Sequence, residues 1–222
     1  MIRVLFSFVL CSTGVFFFLG SPYPVGAASA PDPTEQFRPF VEKIVSILTD
    51  PDMQGDEKCV ERRAKVRAVG AERFDFNEMS KRVLGSTWRK LNADEQKHFV
   101  DLFTKLLEHA YFGKIEDYSK QTVVFKDQRV QDDRAQINTG IIDKDVNISV
   151  SYVMLLQDGV WRVYDIIVEG VSLVRNYMEQ FKEILRKEGY DSLLKQVEAK
   201  VTELDEGIGI FCPVDIPEKK DT

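Results

Sequence analysis

Few residues of this 222-residue chain suit metal or redox chemistry: it has three cysteines and two histidines. Three cysteines cannot build a disulfide scaffold. His98 and His109 lie eleven apart on one helical stripe, about 16 Å along its axis, too far to share a metal. Cys-x-x-Cys, a phosphate-binding glycine loop and His-Glu-x-x-His are all missing, which removes the usual redox, nucleotide and zinc-hydrolase signatures. Beyond the first thirty residues no run approaches the ~20 apolar residues a membrane helix requires. Lys and Arg total 30 against 36 Asp and Glu, a net charge of −6 that argues against nucleic acid as main partner.

The first thirty residues carry a single charge, Arg3. Val4–Leu19 is uncharged, Pro22 and Pro24 follow, and Gly26, Ala27, Ala28, Ser29 and Ala30 supply small residues. That order predicts a secretory signal, residues 1–28, cleaved after Ala28. Cleavage after Ala27 or Ala30 and an uncleaved membrane anchor are the alternatives. The remaining body has 29 basic against 36 acidic residues, or −7, and is expected to be exported and soluble. It has the size and the apolar content (44% for the whole chain) of one folded domain, 29–206, with a tail over 207–222. In an oxidising compartment Cys59 and Cys212 either pair or remain two thiols.

Apolar spacing predicts helices over 34–49, 56–72, 74–83 and a long stripe from Phe99 to Tyr111 that Gly113 closes. Asn92 and Glu95 form its capping pair. The period then shortens to two over Thr122–Val130, Arg134–Asp143, Val146–Gln157 and Val160–Val168, with Asp158-Gly159 as a hairpin turn. Two further stripes, Leu173–Leu185 and Leu193–Leu204, close the body. The order predicts an α+β fold: a curved four-stranded antiparallel sheet with helices packed on its inner face.

Candidate chemistry is sparse. Asp143, Asp145 and Asn147 imitate the start of a calcium loop, but Ile148 and Met154 occupy its sixth and twelfth positions. Ser172 lacks the closing glycine of a nucleophile elbow and is expected to cap a helix. Asp165 beside Tyr164 is the most suggestive pair, and as acid and base it would suit an isomerase or dehydratase. The competing expectation is that Asp165 anchors a helix start.

Two stretches carry a resemblance. Phe74-Asp75-Phe76-Asn77-Glu78-Met79-Ser80, with Val83-Leu84-Gly85, Trp88 and the Phe99–Tyr111 stripe, is the first. Trp161-Arg162-Val163-Tyr164-Asp165 through Val168-Glu169-Gly170-Val171-Ser172-Leu173, with Tyr177, Phe181 and Gly189-Tyr190-Asp191-Ser192-Leu193, is the second. Both resemble the MlaC, or toluene-tolerance, family, over roughly residues 34–202; the second helix with Cys59 and the tail with Cys212 fall outside the match. The resemblance implies a periplasmic carrier, not an enzyme, without cofactor or metal, whose ligand is a glycerophospholipid. It implies exchange with an inner-membrane ABC transporter complex bearing an MCE-domain ring, docking to an outer-membrane lipoprotein–porin complex, and upkeep of outer-membrane lipid asymmetry.

Such a carrier needs an apolar wall with almost no unpaired polar group. The candidates are Leu102, Phe103, Leu106 and Tyr111 on the helical stripe, Ile148, Val150 and Tyr152 on the third strand, and Tyr164, Ile166 and Val168 with Val171 at the fourth. On that last strand strict alternation separates Tyr164, Ile166 and Val168 from Trp161, Val163 and Asp165, and a carboxylate among acyl chains is costly. Ordinary core is the competing expectation for every one of them, and a fully packed interior would leave only an envelope adaptor.

Overall fold

The computed structural model describes residues 30–55, 58–116, 122–143 and 146–206, except the side chains of 111–116, 143, 146 and 206. The signal segment, Cys11, Asp145, the tail and Cys212 lie outside them.

Local chemistry sets the helix ends. Helix α1 (Pro33–Thr49) starts where Asp32 accepts a hydrogen bond from the Glu35 N–H at 2.9 Å, with Pro33 in the first turn, where no N–H is needed. After a short 3-10 turn at Pro51–Met53, α2 spans Cys59–Arg73 and buries only Val66 and Val69. Helix α3 (Phe76–Leu84) is capped by Asp75 at 2.8 Å and ends at Gly85, whose φ of 55° favours glycine. A 3-10 turn, Gly85–Lys90, leads to α4 (Ala93–Glu116). Its start is the expected reciprocal box: Asn92 Oδ1 accepts from the Glu95 N–H and Glu95 Oε2 from the Asn92 N–H. Gly113 does not end this helix, which continues to Glu116; one interior glycine costs about 1 kcal/mol, too little to stop 24 residues.

The sheet is antiparallel in the order β1 (Thr122–Gln131), β2 (Arg134–Asp143), β3 (Val146–Gln157), β4 (Val160–Val168), β5 (Val171–Ser172). It has five strands rather than four. Asp158-Gly159 makes the expected two-residue turn, with both φ values positive, and Glu169-Gly170 repeats it, folding back a fifth strand of two residues. Ser172 then caps α5 (Leu173–Lys187), and α6 (Tyr190–Glu206) completes the fold.

Two apolar clusters meet at the sheet. Under α1, the side chains Phe37 and Val41 pack on Ala135, Ile137, Met154, Trp161 and Val163. On the other side, α3, α4, α5 and α6 build a helical core from Met79, Phe99, Phe103, Tyr177, Phe181 and Leu193, which Val153, Leu155 and Tyr164 join from the sheet. Phe74 packs against both clusters, and the Asp75 N–H bonds the Val163 carbonyl at 2.8 Å. The α2–α3 junction is thereby fixed to the edge of β4.

Candidate functional site

The β4 strand decides which side chains share a wall. Its pairing with β3 runs Val150↔Val168, Tyr152↔Ile166 and Val153↔Asp165, then slips, so that Met154 faces Val163 and Leu156 faces Trp161. Tyr164 is the extra residue of a β-bulge. Strict alternation groups Tyr164 with Ile166 and Val168; the bulge instead puts Trp161 and Val163 on their face and sends Tyr164 to the helical core. There Tyr164 is buried, with the Arg82 guanidinium 3.9 Å from its ring centroid.

Ten of the eleven candidates therefore fall in two places. Leu102, Phe103, Leu106 and Tyr164 belong to the helical core. Phe103 is fully buried, with ring centroids of Tyr177 at 5.3 Å, Phe99 at 5.8 Å and Phe181 at 5.9 Å. Such packing makes its ring part of the aromatic core. Tyr111 lies on α4, its side chain outside the described residues. Ile148, Val150, Tyr152, Ile166, Val168 and Val171 share the sheet face toward α1.

On that face the cross-strand pairs form apolar rows: Val123–Ile141–Ile148, Val150–Val168–Val171, and Ile137–Tyr152–Ile166. Thr139 sits among them, but its hydroxyl donates to the Val150 carbonyl at 3.0 Å, so it presents no unmet polar atom. Cover by α1 is uneven. Ile137, Met154, Trp161 and Val163 are buried; Val123, Ile141, Ile148, Ile166 and Val168 are half-buried; Val171, at the hairpin, is 42% exposed. Ile44, Val45 and Ile47 of α1, with Leu48 and Val66, flank the Val123–Ile141 end. Sequence pattern did not single out Val123 and Ile141, and strict alternation set Trp161 and Val163 aside; register, not composition, places all four here.

Among these described rows the Tyr152 phenol is the one titratable group, and the strip is otherwise aliphatic, so it suits hydrocarbon. A recess of about 290 Å³ lies elsewhere, at the start of α1, lined by Asp32, Thr34, Glu35, Arg38, Phe125, Lys126, Asp127 and Gln128. It is polar and shares none of the wall residues.

The acid–base pair has other duties. Asp165 Oδ2 accepts from the Ser172 hydroxyl at 2.5 Å and Oδ1 from the Val174 N–H at 3.0 Å, while Ser172 Oγ accepts from the Arg175 N–H at 3.0 Å. Both carboxylate oxygens thus hold the start of α5, as the competing expectation had it. His98 pairs with Glu198 at 2.9 Å and His109 with Asp205 at 2.8 Å, each pinning α4 to α6. Arg67 on α2 reaches Glu108 on α4 at 2.8 Å, where burial pushes the Glu108 carboxyl up although Arg67 pulls it down. Among the described residues no group of three or more His, Cys, Asp or Glu could hold a metal, and no helix is long and apolar enough to cross a membrane.

Comparison with known proteins adds three findings. The family model described as MlaC protein matches residues 38–199. The intermembrane phospholipid transport system binding protein MlaC of Haemophilus influenzae is 26% identical over 129 residues, which cover 55% of this chain and 60% of that protein. The solved structure of a phospholipid-binding protein from Ralstonia solanacearum, in complex with a phospholipid, superposes with a TM-score of 0.71 over 79% of this chain and 99% of that one. At 22% identity that likeness bears on the fold.

Proposed function

Because this chain belongs to the MlaC family, we propose that it is a periplasmic phospholipid carrier. It takes a glycerophospholipid between an inner-membrane ABC transporter complex with an MCE-domain ring and an outer-membrane lipoprotein–porin complex, and so maintains outer-membrane lipid asymmetry. Residues 1–28 are its cleaved signal, 29–206 the carrier domain and 207–222 a tail. The observation that carries this reading is the aliphatic strip on the α1 side of the sheet, which runs beyond its helical cover. The printed functions of the Haemophilus and Ralstonia relatives point the same way.

Physical chemistry explains why a carrier is needed. Each methylene moved from water into an apolar site is worth about 0.8 kcal/mol, so two sixteen-carbon chains cost more than ~20 kcal/mol to expose. Free lipid therefore does not cross an aqueous gap at a useful rate. Against a wall of Ile148, Val150, Ile166, Val168 and Val171 the chains exchange a bilayer for a surface of similar polarity, and transfer is close to thermoneutral. The chain has no phosphate-binding loop, so direction comes from its partners. Its part is stoichiometric.

The enzyme alternative has lost its best pair, since Asp165 is engaged by Ser172 and Val174 and Tyr164 lies under Arg82. Gentle purification followed by native mass spectrometry tests the carrier. One bound phospholipid per chain is the expected result; a consistently empty chain that also fails to take up lipid from vesicles contradicts it.

A further inference from the structure

We propose that the end of α1 (residues 43–49) and the part of α2 before Gly70 form a lid over one end of the lipid wall, latched to the helical core by the Arg67–Glu108 ion pair. The inference rests on the carrier reading above and adds how lipid enters and leaves.

The two ends of α1 are held in different ways. The first is pinned by polar bonds and rings. The Pro31 carbonyl, just before the helix, accepts from the Trp161 indole N–H at 2.7 Å, and Gln36 Oε1 accepts from the Trp161 backbone N–H at 2.6 Å. Thr34 donates its N–H and its hydroxyl to Gln128 Oε1, and the Phe37 ring lies 4.8 Å from that of Tyr152. The second end meets the strands through aliphatic groups: Ile44, Val45, Ile47 and Leu48, with Val66 of α2, pack at Val123 and Ile141. Its neighbours tie it to α2. Lys43 pairs with Glu72, and Arg62 donates to the Met53 carbonyl at 2.7 Å, in the turn between the helices. The two helices therefore move as one piece.

That piece has a weak point beside each anchor. Pro39, one turn before Lys43, has no N–H to give the Glu35 carbonyl, so α1 lacks a rung there. Phe40 sits at this pivot, its ring on Phe37 and Phe74. Gly70 weakens α2 from within, and packing does not call for it, since a Cβ there would meet nothing within 4 Å. Just beyond, the Asp75 N–H holds the junction to the Val163 carbonyl of β4. Bending at Pro39 and Gly70 lifts the aliphatic cover from Val123 and Ile141 and leaves both anchors in place.

The latch is electrostatic. Helix α2 packs on α1, and its described tie to α4 is Arg67 to Glu108 at 2.8 Å. The Glu108 side chain is only 15% exposed. Burial pushes its carboxyl up, and Arg67 is the first influence pulling it down, ahead of His109 and Lys105 on its own helix. An open lid takes the countercharge from a shielded carboxylate, so the pair favours the shut position.

Two readouts on the full-length chain test this: amide hydrogen exchange without lipid, and the rate and final extent of uptake of a pyrene-labelled phosphatidylglycerol from phosphatidylglycerol vesicles. In Arg67→Ala, residues 43–49 and 59–69 should exchange together, faster than in wild type by roughly two- to fivefold, the range for a partly exposed ion pair. Uptake should quicken by a similar factor, with final occupancy unchanged. Pro39→Ala combined with Gly70→Ala, which restores the rung and strengthens α2, should slow both. Exchange in Arg67→Ala equal to wild type overturns the latch, and unchanged rates in the stiffened variant overturn the hinges. Faster exchange with an unaltered uptake rate overturns the lid as the way in. A wild-type chain that takes up no lipid overturns the carrier reading itself, whatever the exchange pattern.

Discussion

The helical core and the α1 face of the sheet are both apolar, yet they are built for opposite ends. In the first, Phe99, Phe103, Tyr177 and Phe181 meet edge-on, stacked or tilted, and Phe99, Phe103 and Leu193 have no exposed surface. Aromatic interlock of this kind fills its volume and resists rearrangement. In the second, Phe37, Phe40 and Tyr152 interlock under α1 at one end, while branched aliphatic side chains line the other, where helical cover thins toward Val171. At that end, aliphatic rows without aromatic interlock can accept another hydrocarbon in place of a missing protein partner. The β4 bulge lets one strand serve both regions: Val163 and Ile166 face one, Tyr164 and Asp165 the other.

The comparison breaks most readily at Phe103. Phe103→Ala should cost about 3–5 kcal/mol in chemical denaturation, with bound lipid lost only in proportion to unfolding. A lipid defect in a fully stable Phe103→Ala protein would move the ligand into the helical core. Next in size, Asp165→Asn should cost about 1–2 kcal/mol by weakening the hold on the α5 start. Ile148→Asp should do the converse of Phe103→Ala: stability within about 1 kcal/mol, because the site is half-exposed, but a large loss of co-purified phospholipid. The smallest effect is expected outside both regions, at the tie between α2 and α4. The raised Glu108 carboxyl contributes stability in full at acidic pH and loses it as pH rises through its folded value. Arg67→Ala removes the charge that offsets this, so its penalty, about 1 kcal/mol or less for so exposed an arginine, should be greater at pH 7.5 than at pH 4 and should vanish in a Glu108→Gln background.

Much of this was legible in the residues. The capping pair Asn92–Glu95, the turn at Asp158-Gly159 and the change of period at Thr122 lay open to inspection, because short-range hydrogen bonds and alternation determine them. What escaped was non-local. The bulge at Tyr164 has no marker in Val160–Val168, since any residue there reads as ordinary alternation; it arises because the strand must satisfy α1 on one side and α5 on the other. Glu169-Gly170 was visible as part of a motif but not as a second hairpin turn, since only two residues pair beyond it. The stripe on α4 reads equally as core or wall, and it is Tyr177 and Phe181, distant in sequence, that pack against Phe103 in the helical core. Half-cover of Ile148 and Val168 depends on how α1 lies across the sheet, which no local pattern encodes.

Photo-cross-linking with a phospholipid bearing a diazirine on one acyl chain tests the central claim most directly. Loaded onto the full chain, irradiated and mapped by peptide mass spectrometry, the label should fall on Ile148, Ile166, Val168 and Val171. Labelling confined to Leu102, Phe103 and Leu106, with the sheet residues unmarked, would contradict the assignment of the sheet face as the lipid wall.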